Sequence, residues 1–386
     1  MKQKTILFIH QSAELYGSDK TLLYLVESIF KFDSFNVIVV LPENGSLKDL
    51  LEEKGITVII SPIVKLSRQM YTLKGTLCLP FNLISSLYRL RRLLKEVHID
   101  IIHSNTMAVL VGAFYSKIYG IKHIWHIHEI IERPKFVKNN FPKFVNFFSD
   151  RVVFNSEATS RAFTESSNGL IKKSQIILNG LDRNQNITAS DIKKAIRKEL
   201  FGADESNIVI GLIGRINKWK GQELLLESFS RISEKGIKLV FVGSAPPGQE
   251  YFVRELKDKI IFYNVEDNCR IIPFQRNIWP IFDSIDISVI PSVDPEPFGL
   301  VALESMLAEK VVIASNHGGV TEIVKHNETG FLFEPNNKSE LIMFLKQLIN
   351  DEHKRFKFGR EGRLRALKKF SLDTYVSKFI NLYRNI

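Results

Sequence analysis

Short runs rich in β-branched and aromatic residues alternate with amphipathic stretches along nearly the whole chain. TILFIH, NVIVVLP, ITVII, IDIIHS, KHIWHIH, RVVFNS and QIILNG come first, each bounded by turn-forming or polar residues. Such alternation predicts a parallel sheet with helices on both faces, because parallel strands need crossover connections. A polar segment, LDRNQNITAS, and a charged one, DIKKAIRKELFG, then interrupt the pattern. It restarts with NIVIGLIGR, IKLVFVGS, CRIIPF, DISVIPS and KVVIASN. At 386 residues the chain exceeds one ordinary core. The reading is an α/β protein of two doubly wound domains, residues 1–185 and 186–370, followed by an amphipathic helix over 371–386. Doubly wound sheets bind ligands at the carboxyl ends of their strands, so two facing sheets would hold one in the cleft between them.

Composition narrows the partners. The net charge of +11 and pI near 9.4 favour anionic ones. Cys78 and Cys269 are too few for a disulfide framework or a cysteine zinc site, which fits a reducing, cytoplasmic compartment. The longest apolar run, MAVLVGAFY, falls short of the roughly 18 residues a membrane span needs.

Two motifs carry chemistry. In PSVDPEPFGLVALE, Pro295, Pro297 and Gly299 forbid a helix over the first half. This predicts a strand ending near Pro291, a tight loop carrying Glu296, and a helix from about Gly299 carrying Glu304. The N–H groups of Phe298, Gly299 and Leu300 would then point between two carboxylates. Donors in the middle and acceptors at both ends suit a polyhydroxylated ligand bearing phosphate. In GLIGRINKWKGQELLLESF, Gly214 and Arg215 end a strand and Lys220-Gly221 open a helix. A guanidinium fork and a mobile ammonium beside a helix N-terminus can neutralise a diphosphate. A third, weaker feature is the loop-to-helix turn after TILFIH, where Gly17 and Ser18 could cradle a phosphate; an ordinary β–α turn accounts for it as well.

PEPFGLVALE with Gly-Arg…Lys-Gly upstream, and NHGGVTEIV and ETGFLF downstream, resembles the signature of the group 1 (family four) retaining glycosyltransferases. The resemblance implies the GT-B fold, two Rossmann-like domains facing across a cleft, with the C-terminal helix crossing back to the N-terminal, acceptor-side domain. It assigns Arg215 and Lys220 to the leaving diphosphate, Glu296 to the sugar hydroxyls and Glu304 to the ribose. It makes His128, in His128-Glu129, the residue at the donor sugar. Gly243 matches a family glycine, and Phe274 and Gln275 stand where backbone pairs with the base edge. FNSEAT, with Asn155, Ser156 and Glu157, and Asn179-Gly180 match landmarks that turn chemistry also explains. The chain departs from the pattern at Tyr16 and Ser244, each in place of a glycine, and at Glu309-Lys310-Val311.

The expected activity is transfer of a hexose-type sugar from a nucleoside diphosphate donor, UDP rather than GDP, to a glycan or lipid-linked acceptor in cell-surface polysaccharide or glycoconjugate synthesis. The resemblance implies retention without a metal or other cofactor, and no Asp-x-Asp motif is present. His103, His126, His128 and Glu129 lack a recognisable zinc spacing. A nicotinamide-dependent oxidoreductase would need a Gly-x-Gly-x-x-Gly loop that neither YGSDK nor GRINKWKG supplies. A non-catalytic sugar-nucleotide-binding protein is the alternative; nucleic acid is not expected, since the motif carboxylates would repel it. FNLISSLYRLRRLLKEV and RPKFVKNNFPKFVNFF mix aromatics with Lys and Arg and suit peripheral attachment to an anionic membrane face.

Overall fold

The computed structural model describes residues 3–32, 35–65, 73–183 and 185–386. The chain divides into two units: Met1–Gly180 with Leu372–Ile386, and Leu181–Ser371. In the first, β1 (Lys4–His10), β2 (Phe35–Leu41), β3 (Thr57–Ile60), β4 (Ile101–Asn105), β5 (Lys122–Ile127), β6 (Arg151–Phe154) and β7 (Ser174–Ile176) form one parallel sheet. Its order is β3-β2-β1-β4-β5-β6-β7. In the second, β8 (Ile208–Ile213), β9 (Ile237–Val242), β10 (Cys269–Ile272), β11 (Ile287–Ile290), β12 (Val311–Ser315) and β13 (Gly330–Phe333) form another. Its order is β10-β9-β8-β11-β12-β13, again all parallel.

Every apolar run read as a strand is one. β13 was not read as a strand: GFLF is short and opens on a glycine. A Cβ at Gly330 would collide with the Val312 carbonyl, so the glycine marks close backbone approach rather than a turn. The division at Gly180 precedes the expected one after residue 185. Leu181 N–H already donates to the Phe370 carbonyl, and the Arg183 guanidinium grips Asp283 at 2.6 and 2.7 Å, so this polar stretch is anchored in the second unit.

Each sheet reverses its strand order once, between β1 and β4 and between β8 and β11. Loops leaving the two strands at a reversal diverge, and a crevice opens beyond the carboxyl ends. The turn at Gly17, the Gly-Arg…Lys-Gly segment and PEPFG fall on loops leaving β1, β8 and β11, and His128 and NHGG on loops leaving β5 and β12, the neighbours of β4 and β11.

The helix Leu372–Arg384 belongs to the first unit. Tyr375, Phe379 and Tyr383 recur every four residues and share a face. That face is buried: Phe379 stacks near His103 and His126, and the Tyr383 hydroxyl meets His103 Nδ1 at 2.7 Å.

In the second unit the helix Leu300–Leu307 ends on Glu309, at φ +57. A left-handed residue is the usual helix stop, and glycine its usual occupant. The helix Glu352–Lys369 crosses this turn at Gly359, where an added Cβ would strike the Glu309 carbonyl. Gly359→Ala should therefore lower stability by about 1–3 kcal/mol, the cost of overpacking against backbone. Urea unfolding checks this.

Candidate functional site

In the second unit, Gly214 (φ +146) follows β8 and Gly243 (φ +147) follows β9. A Cβ on Gly243 would overlap the Gly214 carbonyl, so the loops leaving these strands touch backbone to backbone. Arg215 follows, half-buried, and burial lowers its pKa from the usual guanidinium value. Asn217 Oδ1 then accepts from Lys220 N–H at 3.1 Å and fixes the short turn Lys218–Lys220. Gly221, at φ +76, has no room for a side chain because the Pro291 carbonyl sits against it. This contact brings the start of the helix Gln222–Phe229 up to the end of β11.

The result is an ion pair: Lys220 Nζ lies 2.6 Å from Glu296 Oε1. The ammonium also sits over the Trp219 ring, 4.2 Å from its centre. Glu296 is 5% exposed. Its Oε1 accepts from Ser292 Oγ at 2.5 Å as well, so both contacts fall on one oxygen. The loop carrying Glu296 is held from below. Gly319 N–H donates to the Glu296 carbonyl at 2.7 Å, and His317 Nε2 meets the Ser292 carbonyl at 2.8 Å. Gly318 and Gly319 lie so close to this loop that side chains there would collide with it. Ser292 and His317 were not singled out as site residues; the NHGG and PS segments were the available signal.

The helix begins at Leu300 with Gly299 (φ +99) as its N-cap. Phe298 turns its ring inward against Phe370, leaving backbone at the helix start. Glu304 lies one turn in, 3% exposed. Phe274 and Gln275 follow β10. The Phe274 N–H donates to Ser244 Oγ at 3.2 Å, so the serine standing in a glycine's place is bonded to the segment that follows β10. The Gln275 amide folds back onto the Pro273 carbonyl at 3.1 Å.

In the first unit, Gly17 and Ser18 open the helix Gly17–Lys31. A Cβ at Gly17 would meet open space. Asp19 is buried. One of its oxygens accepts from Tyr16 N–H at 2.9 Å, while the other accepts from His10 Nε2 at 2.7 Å and from the Ser12 hydroxyl. At the end of β4, Asn105 links His10 to His128: its amide nitrogen lies 3.0 Å from His10 Nδ1 and its amide oxygen 2.9 Å from His128 Nε2. The next residue, Thr106, holds a φ of 89, strained for a β-branched side chain. Glu129 does not sit beside the imidazole as a partner. Its Oε2 accepts from the N–H groups of Met107 and His128, bracing both loops. Burial outweighs these two bonds and pushes the Glu129 carboxyl up to about 7. Ser156 caps the helix Glu157–Thr164 through Thr159 N–H, and Thr159 Oγ1 donates to Asn155, which is the turn chemistry open to that segment. Among the described residues, no group of three or more His, Cys, Asp or Glu could hold a metal ion.

Burial pushes His128 down to about 3 and holds His103 and His126 well below the usual imidazole range, with the neighbouring imidazoles adding to the shift. These rings are neutral when folded and charge when unfolded. Their contribution to stability is present above pH 6.5 and is lost as pH falls below it. His126→Phe should flatten that acid decline by up to about 1.4 kcal/mol per pH unit. Urea unfolding at pH 7 and pH 5 reads the difference.

Comparison with known proteins agrees with this geometry. Residues 34–185 match the model for Glycosyltransferase Family 4, and residues 193–365 that for glycosyl transferases group 1. The chain is 29% identical over 216 residues to an uncharacterised glycosyltransferase of Methanocaldococcus jannaschii, covering 55% of this chain and 54% of that protein. It is 32% identical to the capsular polysaccharide biosynthesis glycosyltransferase CapM of Staphylococcus aureus, over 46% of each. It thus spans about half the length of these curated relatives. The Anabaena protein HepE, crystallised with UDP-glucose, superposes with a TM-score of 0.86 at 27% identity, covering 99% of this chain and 100% of that one. With its two parallel-sheet units the protein has the GT-B fold, and with two family models matching most of its length it belongs to the group 1 glycosyltransferases.

Proposed function

We propose that this protein is a retaining glycosyltransferase that moves a hexose-type sugar from a nucleoside diphosphate sugar to a glycan or lipid-linked acceptor in cell-surface polysaccharide or glycoconjugate synthesis. The observation that carries the reading is the buried Lys220–Glu296 pair, with Arg215 on the same loop and a helix N-terminus following. Cations there offset a departing diphosphate. Glu296 keeps Oε2 clear of both its contacts and accepts from a sugar hydroxyl. Glu304 accepts from the ribose. In the first unit, Gly17 and Ser18 contribute donor-binding backbone, and a sugar hydroxyl meets His128. UDP is the preferred nucleotide, supported by the likeness to HepE bound to UDP-glucose.

Retention follows from attack on the face the leaving group departs. The bond from the anomeric carbon to the diphosphate oxygen breaks, the acceptor oxygen bonds that carbon from the same side, and a phosphate oxygen takes the acceptor's proton. Arg215 and Lys220 carry the developing charge in place of a metal or other cofactor. Each single change to alanine should lower kcat by about 10²–10³, more than it raises the donor KM. Glu304→Gln should weaken UDP alone, whereas Glu296→Gln should weaken the sugar-bearing donor and spare UDP. Turnover should persist in EDTA, and the product should keep the donor's anomeric configuration by NMR. Near-normal kcat in both cation variants would remove the pair from the mechanism.

A cytoplasmic protein acting at an anionic membrane face is the accompanying proposal. Among the described residues no helix is long and apolar enough to cross a membrane. The helix Leu73–Leu93 does not bury its whole apolar stripe. Leu90, with Leu94 just past the helix end, enters the core and Leu87 packs against it, while Phe81 and Tyr88 are 75% and 71% exposed on a helix that also exposes Arg89 and Arg92. On the helix Lys135–Phe148, Phe136 and Phe147 are likewise exposed, with Lys117 over the Phe147 ring. Each basic residue near anionic lipid contributes about 1 kcal/mol. The protein should co-sediment with anionic but not neutral vesicles, and less at high salt. Replacing Arg89, Arg91, Arg92 and Lys95 should abolish this; equal partitioning to both lipids would point to a soluble acceptor.

A further inference from the structure

A buried chain of side chains in the first unit ends at His128, and none of its other members has been given a role in transfer. Asp19 receives His10 Nε2 at 2.7 Å. His10 Nδ1 faces the Asn105 amide nitrogen at 3.0 Å, and the Asn105 amide oxygen faces His128 Nε2 at 2.9 Å. All four side chains are buried.

The direction of the hydrogens follows from the first two links. A carboxylate can only accept, so His10 Nε2 carries a proton; Nδ1 lies 3.3 Å from the Asn105 backbone carbonyl but closer, at 3.0 Å, to the Asn105 amide nitrogen, which can only donate, so Nδ1 offers a lone pair. The Asn105 amide must donate to that lone pair, which leaves only its oxygen to turn towards His128. His128 Nε2 therefore carries the hydrogen, and its Nδ1 is left as an acceptor. Among the described residues, both nitrogens of His126, whose ring centre lies 3.9 Å from that of His128, and Nε2 of His103 have no hydrogen-bond partner. Burial lowers the His128 pKa, with His10 adding to the shift and the Asp19 carboxylate opposing it, and the ring stays neutral.

We propose that Asp19, His10 and Asn105 are positioning residues that lock His128 in the Nε2–H tautomer, so that Nδ1 can accept from a donor-sugar hydroxyl and can never donate to one. The inference rests on the assignment of His128 to the donor sugar. It adds a specificity rule: a sugar with hydrogen or fluorine in place of that hydroxyl loses the contact, because neither can donate. The same Asp19 carboxylate holds Tyr16 N–H, so the loop before Gly17 and the imidazole of His128 are set by one group.

Long-range ¹⁵N–¹H spectra of the ligand-free, histidine-labelled protein test the lock without any donor. The expected result is a protonated Nε2 and a bare Nδ1 at His128; a protonated Nδ1 overturns the proposal. Asn105→Leu should release the ring into a mixture of tautomers and lower kcat about tenfold to hundredfold, the usual cost of losing such a supporting partner. Its affinity for UDP alone should stay within twofold. A single unchanged tautomer in that variant, or a mixture with wild-type kcat, overturns the proposal. If Asn105→Leu does not fold, Asp19→Asn replaces it under the same readings. Absence of transfer by the wild-type protein would defeat the glycosyltransferase reading alone, since the tautomer spectrum stands independently of activity.

Discussion

Burying the Lys220 ammonium against the Glu296 carboxylate strips water from two charges, and only a close, well-supported contact offsets that cost. Much of the second unit's local architecture serves it. Gly221 lets a helix start press against the end of β11, Asn217 sets the turn that aims the lysine, and Ser292 adds a second donor to the carboxylate. Gly318 and Gly319 seat the carboxylate's loop from the other side. Removing either charge leaves the other stranded, so the pair is conditional on both halves of the motif. Under the proposed function, a diphosphate arriving beside it would meet a cation already oriented, which is the preorganisation that electrostatic catalysis depends on.

Much of this was legible in the sequence because it is local. Proline and glycine spacing in PSVDPEPFG placed the loop and the helix start, and strand alternation placed both sheets. The helix begins at Leu300, where the glycine said it should. What could not be read is which side chains meet across the sheet. Asp19, His10 and Asn105 come from a helix and two strands, and nothing in YGSDK or FIHQS distinguishes a buried relay from an ordinary turn. His128-Glu129 was legible as a pair, but the use of Glu129 was not. A carboxylate after a histidine suggests a side-chain partner, and here it braces backbone N–H groups instead.

One segment shows how far periodicity reaches. FNLISSLYRLRRLLKEV has apolar residues at helical spacing, which usually means one buried face. In the fold the stripe divides, with the leucines packed inward and Phe81, Ile84 and Tyr88 left in the open. Spacing records that residues lie near one another on a helix, not how wide a face its neighbours cover.

The helix Leu372–Arg384 fills the first unit with residues made after the entire second unit. Until Phe379 and Tyr383 arrive, His103 and His126 lack the aromatic wall they lie against, and the His103 Nδ1 has no hydroxyl to meet. The first 180 residues thus leave the ribosome with an unfinished core. Folding of the two units is ordered by synthesis: the unit begun first is completed last, and any chain cut short loses the wall of its histidine cluster before it loses a single residue of the other sheet.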